Sequence, residues 1–217
     1  MQFKYMKQKF ALDNLGLFDQ KYCVGKFQIP KLMPAERCPN KLICFSNVNR
    51  MDDFSVGVHF FMDDFRFERI WKMPNRYIPL LKKFSCVLSP DFSLFADMPV
   101  AQQIWNVYRS RLLGFMMQRV GIEVIPVVSW SDKQSFEFCF DGIAKGGLVA
   151  VSSVGSIKNK YDRIRFVTGL NAMIDRLTPS SILFYGKIPE FDFKNIKIHH
   201  FYTCREMVGA ISYKESL

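Results

Sequence analysis

Short apolar runs recur along this chain, each closed by a polar turn, and most are followed by a spacer of helical length. The best marked is the stretch FSCVLSPDFSLFADMPVAQQIWNVYRSRLLGFMMQRVG, residues 84–121. The run Cys86-Val87-Leu88 stops at Ser89-Pro90-Asp91-Phe92-Ser93, and a helical pattern starts near Pro99. Equivalent runs lie at 41–45, 56–61, 122–128, 148–151, 181–184 and 196–202. Near-continuous apolar strands with helical spacers describe a mainly parallel sheet covered on both faces. The expected fold is therefore α/β, a TIM-like or incomplete αβ barrel, with an open doubly wound sheet as the alternative. The spacer between 128 and 148 leaves room for a short helix only, near 135–140, which makes any barrel irregular. Longer helices are expected from Pro99 onward and over 158–177, with a tail helix from Cys204. Residues 66–83 hold Pro74 and Pro79 and predict a broken helix.

At 217 residues one domain is expected, over 29–217, preceded by a basic, aromatic-anchored arm over 1–28. The net charge of +10 suits an acidic partner, nucleic acid or a phosphate-rich ligand, and equally a plain solvated surface. No signal-peptide core and no run of membrane-spanning length is seen, so the expected location is the cytoplasm (the host's, if the chain is phage-encoded) with no membrane partner. The six cysteines have no C-x-x-C spacing and read as reduced core residues, with no metal assigned. His199 and His200, adjacent on a strand, point to opposite faces.

In either architecture the residues just past parallel strand ends share one rim, where ligands bind. That rule gathers Asp63 and Asp64, Asp91 and Ser93, Trp130, Ser152, and Tyr185 with Lys187. Asp64 and Asp91 are the candidate catalytic pair, able together to hold Mg²⁺ for phosphoryl chemistry, since hard cations take oxygen ligands. The other rim residues are candidate ligand contacts, although Asp and Ser at such places also serve as ordinary caps and turns. Asp132 reads as a turn residue. On the long helix, Gln102, Asn106 and Arg109 fall at spacings of four and three residues and form one stripe. Arg109 is its anchor for a phosphate or base, against the alternative of a solvated face. Residues 142–147, with Lys145, form a glycine-rich turn that reads as a phosphate cradle or as a plain loop. No Walker loop, GxGxxG or GxSxG is present.

Several of these residues also carry a resemblance. Ser89-Pro90-Asp91-Phe92-Ser93, Met98-Pro99 with Gln102, Asn106-Val107-Tyr108-Arg109 and Gln118-x-x-Gly121 resemble an uncharacterised family found in phages and integrative elements. So do Ile125-Pro126 with Trp130, Ser135-Phe136-x-Phe138-x-Phe140-Asp141-Gly142, Ser152-x-Val154-Gly155, and Pro179 with Tyr185-Gly186. The resemblance runs over about 29–186 and implies a mobile-element context. Members sometimes bear a rolling-circle replication label. That chemistry requires two histidines flanking one hydrophobic residue and a tyrosine on a nearby helix, which the adjacent pair His199-His200 does not supply.

The leading expectation is a phage or mobile-element accessory protein. Its strand-end pocket takes a nucleotide, a phosphate-rich ligand or a nucleic-acid end, with hydrolysis as an open addition. The alternatives are a non-enzymatic anti-defence inhibitor that blocks a host protein or sequesters its signal, and a DNA-binding replication accessory.

Overall fold

A computed structural model describes residues 20–203 and Glu206. The expected arm lies mostly outside these residues, as does nearly all of the expected tail helix. The first described elements are a 3-10 turn, Gln20–Tyr22, and an antiparallel pair, β1 (Cys23–Val24) and β2 (Ile29–Pro30). Tyr22 packs on Phe115 and Phe27 on Phe138, which ties this hairpin to the body of the fold.

The remaining strands are all parallel and follow chain order. β3 (Leu42–Cys44), β4 (Gly57–His59), β5 (Cys86–Leu88) and β6 (Val124–Ile125) form one sheet; β7 (Leu148–Ser152), β8 (Ser181–Tyr185) and β9 (Lys197–Phe201) form another. Just past β6 the chain bridges the two. The Val128 N–H donates to Ala150 O and the Ala150 N–H to Pro126 O, both at 2.8 Å.

Side-chain alternation shows how this surface curves. Leu88, Ile125, Val127, Leu148, Ala150 and Leu183 share one cluster, with Leu42 of β3 and Phe201 of β9 packed against it. Their strand neighbours Val87, Val124, Val149, Ile182 and Phe184 point the other way, into two outer clusters. Residues two apart on a strand share a face, so the first cluster is the inside of a curl. His59 of β4 meets Tyr185 of β8 with ring centroids 4.7 Å apart. Three strands lie between them in the order, and a flat sheet would hold strands so placed about 19 Å apart. The architecture is therefore an incomplete αβ barrel. Among the described residues no backbone pairing joins β9 to β3.

Among the described residues four helices cover the outside: α1 (Asp64–Lys72), α2 (Pro74–Leu81), α3 (Val100–Arg119) and α4 (Lys160–Leu177). The expected break in 66–83 falls at Met73, and Pro74 takes the first position of α2, where a missing N–H leaves nothing unpaired. Phe45, Phe60, Phe67 and Phe92 are fully buried between the first sheet and its helices. Each contributes about 1.5–3 kcal/mol by leaving water. The short spacer before β7 holds only a 3-10 segment, Lys133–Glu137, begun by Asp132, whose carboxylate accepts from the N–H groups of Gln134 and Ser135. No helix among the described residues is long and apolar enough to cross a membrane.

Candidate functional site

Four consecutive strand exits open onto one cavity of about 980 Å³. β4 supplies Phe61, Met62 and Asp63; β5 supplies Asp91 and Ser93; the chain after β6 supplies Ser129, Trp130 and Ser131; β7 supplies Ser152 and the turn to Ser156. This is the carboxyl-end rim that a parallel αβ sheet predicts. Lys158, Asp162 and Arg165, at the start of α4, complete the wall.

Asp91 is the most perturbed acid of the site. Burial pushes its carboxyl up to about 7, and the neighbouring Asp64 charge pushes in the same direction. The Ser129 side chain and the Arg111 guanidinium pull it part of the way back. A carboxyl poised near neutrality can both give and take a proton at working pH, which is what general acid–base chemistry requires. Asp64 itself is occupied by the β5 loop. Its carboxylate accepts from the Ser93 Oγ at 2.8 Å and from the Ser93 N–H at 3.1 Å.

The helix stripe acts through that loop and not as a direct ligand wall. Asn106 Nδ2 donates to Ser93 O at 2.7 Å, and Asn106 Oδ1 accepts from Arg109 Nη2 at 2.7 Å. Arg109 Nη1 donates to both Glu68 oxygens, at 2.9 and 3.0 Å, while its guanidinium lies 3.8 Å over the Phe92 ring. Neither Asn106 nor Arg109 lines the cavity. Gln102 is exposed, and its neighbour Gln103 takes the buried position, donating to Met98 O and accepting from the Ser131 hydroxyl. The expected stripe thus joins two buried braces to one solvated residue, because the face of α3 turned toward the β5 loop runs through position 103 and not 102.

Trp130 forms an aromatic wall with Phe166, at 5.3 Å between ring centroids. Its indole lies directly on the backbone of α4 at Gly169, where any Cβ would overlap it. Tyr185 is placed differently from the other rim candidates. It is buried inside the curl, stacked on Phe61 at 4.9 Å and against His59, beneath the cavity and not in its lining. Lys187 lines a second, smaller hollow beside Val154 and Gly186. Asp63 is exposed at the mouth. Ser152 lines the cavity and its Oγ accepts from the Val154 N–H at 3.2 Å. The glycine-rich turn at 142–147 precedes β7 and so sits at the opposite, amino-end pole of the strands, away from the rim.

Sequence reasoning passed over Ser129, Lys158, Arg165 and Arg111. Ser129 directly follows an apolar run and was open to the same strand-exit argument as Trp130. Arg111 had no such signal. It is 2 % exposed, and it donates to the carbonyls of Val127, Cys139 and Asp141 at 3.0–3.2 Å, fastening the β6 exit to the turn at Asp141. Burial lowers its pKa to about 10, so it stays charged at neutral pH.

No three His, Cys, Asp or Glu side chains among the described residues form a group that could hold a metal ion. Cys38, Cys44, Cys86 and Cys139 are free thiols, and burial pushes Cys86 and Cys139 up to about 12, which leaves them inert as nucleophiles. Asp91, in the lining, with the Asp64 charge near it but outside the lining, suits Mg²⁺ only in the mode where a ligand's phosphate and water supply the shell.

Fold and site define a parallel, incomplete αβ barrel with a strand-end cavity that is polar at its floor and aromatic on one wall. Residues 21–202 match the model of a domain of unknown function, DUF4417, and the chain belongs to that family. It is similar to the Gene 1 protein of Mycobacterium phage L5, 43% identical over 170 residues, which cover 76% of this chain and 74% of that protein. It is likewise similar to the Gene 1 protein of Mycobacterium phage D29, 41% identical over 174 residues, covering 78% and 64%. These relatives agree with the phage family that the sequence motifs implied. No solved structure matches.

Proposed function

We propose that this protein binds a nucleotide-type ligand in the strand-end cavity and that Asp91 serves as the proton-transferring group of a hydrolytic step. One observation carries the reading: a carboxyl held near neutrality stands at the floor of a cavity that four successive strand exits build. The volume falls in the range of ordinary small-molecule sites. Trp130 and Phe166 give an aromatic wall for a base, and Lys158 and Arg165 give the same cavity two cations for phosphates. The lining is acidic at Asp91, with the Asp64 charge close enough to raise its pKa, so a phosphate there comes with Mg²⁺ held by phosphate oxygens and water. The step is then attack of water on phosphorus, with Asp91 taking the water's proton and the leaving oxygen departing toward solvent.

The test is a melting-temperature screen with nucleoside mono-, di- and triphosphates, each with and without Mg²⁺. A bound ligand at about a hundred times its Kd adds about 2.7 kcal/mol, a shift of several degrees. Asp91→Asn should keep the shift and abolish release of product. If no nucleotide moves the wild-type transition under either condition, the reading is wrong.

A further inference from the structure

The second hollow, about 250 Å³, adjoins the first, and Val154 lines both. Arg163 and Lys187 stand in it, both exposed, beside Glu206, whose carboxylate accepts from the Thr203 N–H at 2.6 Å; among the described residues neither cation has a carboxylate within ion-pair distance. On the cavity side of Val154 stand Lys158 and Arg165. The four cations therefore run from one hollow to the next across a single apolar residue. Two exposed aromatics belong to the same region: Phe95, 58% exposed, lines the cavity, and Tyr161, 77% exposed, sits in the first turn of α4.

The fold does not account for these charges. Lys158, Lys160, Arg163 and Arg165 crowd the amino end of α4, with Asp162 the one acidic residue of its first turn. Cations at that end oppose the helix dipole. Among the described residues, Asp162 in the first turn and its 4.0 Å contact with Arg165 offset part of this opposition. A partner that supplies negative charge does explain them, and exposed rings beside them suit one that also presents flat bases. A duplex stacks its bases away and offers no free base for the cavity, whereas a strand end does both.

We propose that the ligand of the strand-end cavity is the terminal nucleotide of a single-stranded nucleic acid, whose following phosphates cross Val154 and lie against Arg163 and Lys187. This rests on the nucleotide reading of the cavity and adds the polymer, its direction of exit and the residues that hold it. Phe95, in the cavity lining, and Tyr161, beyond it, offer stacking surfaces.

The experiment is fluorescence anisotropy with a labelled oligothymidylate and with a duplex of equal length, across a salt series, beside the melting-temperature shift given by thymidine monophosphate. The variant is Arg163→Glu combined with Lys187→Glu, both at exposed positions, with its melting temperature as the check of folding. Expected are tighter binding of the single strand than of the duplex, and at least about tenfold weaker binding by the variant. The salt slope should fall by about 1.4, two contacts at about 0.7 each, with the mononucleotide shift unchanged. A mononucleotide shift without tighter oligothymidylate binding overturns the strand and leaves the nucleotide reading standing. Failure of both ligands overturns both. Duplex binding equal to that of the single strand, or single-strand binding that the variant leaves intact, also overturns the strand.

Discussion

The Asp64 carboxylate, at the start of α1, is held by Ser93 from the β5 exit through two donors, the Ser93 Oγ at 2.8 Å and the Ser93 N–H at 3.1 Å. The residues are 29 apart in sequence, and the pairing fixes the loop that carries Asp91. Ser93→Ala removes one donor and keeps the other. A hydrogen bond to a charged acceptor contributes about 1.5–3 kcal/mol, less where water reaches it. The expected loss is about 1–1.5 kcal/mol in urea unfolding, with an unchanged m-value. A loss below about 0.5 kcal/mol would mean that water replaces the hydroxyl without cost.

Two groups with oppositely shifted pKa values, Asp91 and His59, should oppose one another in the pH profile of stability. Asp91 titrates near 7 when folded, against 3.8 for the free side chain, so the folded state binds the extra proton and stability falls as pH rises through that window. Asp141, also raised by burial, adds a contribution of the same sign. His59 does the reverse. Burial lowers it to about 4 from 6.5, so the unfolded state binds the extra proton and stability is lost as pH falls from 6.5 toward 4. The wild type should therefore show a shallow profile between about pH 4 and 6.5. Asp91→Asn should unmask a rise with pH on the order of 2 kcal/mol, and His59→Phe a fall of similar size. Parallel profiles for all three proteins would contradict both assignments.

Gly169→Ala tests the wall of the cavity. In an ordinary helix this change gains about 1 kcal/mol. Here the new methyl overlaps the Trp130 indole, which must move off α4 toward the cavity. Overpacking costs about 1–3 kcal/mol, so the net expectation is destabilisation of about 1 kcal/mol with a changed tryptophan emission. A stabilised variant with unaltered emission would show that Trp130 does not rest on Gly169.

Arg109→Lys replaces a planar fork with a point charge. The Arg109 side chain is 11% exposed and Glu68 29%, and one guanidinium serves Glu68, Asn106 and the face of Phe92 together. Lysine cannot make all three. The expected cost is about 1–3 kcal/mol, with a coupling to Glu68→Gln of at least about 1 kcal/mol in a double-mutant cycle. Additive single effects would reduce the pair to a surface contact.

The parallel order and the strand-end cavity were legible because both follow from local pattern. Apolar runs of strand length, closed by Asp, Ser or Trp, place those residues on one rim whatever their later contacts. The direction of each side chain was less legible. Arg109 and Asn106 lie on a helix whose other faces are also rich in polar residues, and nothing short of the Glu68 and Ser93 contacts separates a brace from a ligand. Gln102 and Gln103 differ by a single residue, and a helical stripe read from sequence tolerates that error. Tyr185 stands at a strand exit, yet the curl turns it inward onto Phe61, and curvature is set by all the strands together. Arg111 is held mainly by three backbone carbonyls, with the adjacent Ser110 hydroxyl, and backbone partners have no sequence signature.

The junction after β6 has a mechanical meaning of its own. Asp63 and Asp91 belong to one plate of the barrel and Ser152 and Gly155 to the other, and the plates meet where Val128 and Ala150 exchange two backbone hydrogen bonds with their partners. A molecule that touches both Asp91 and Ser152 spans this seam like a staple. Its binding energy then resists opening of the barrel as well as its own departure, and the Val128 and Ala150 amides would report its arrival through slower hydrogen exchange.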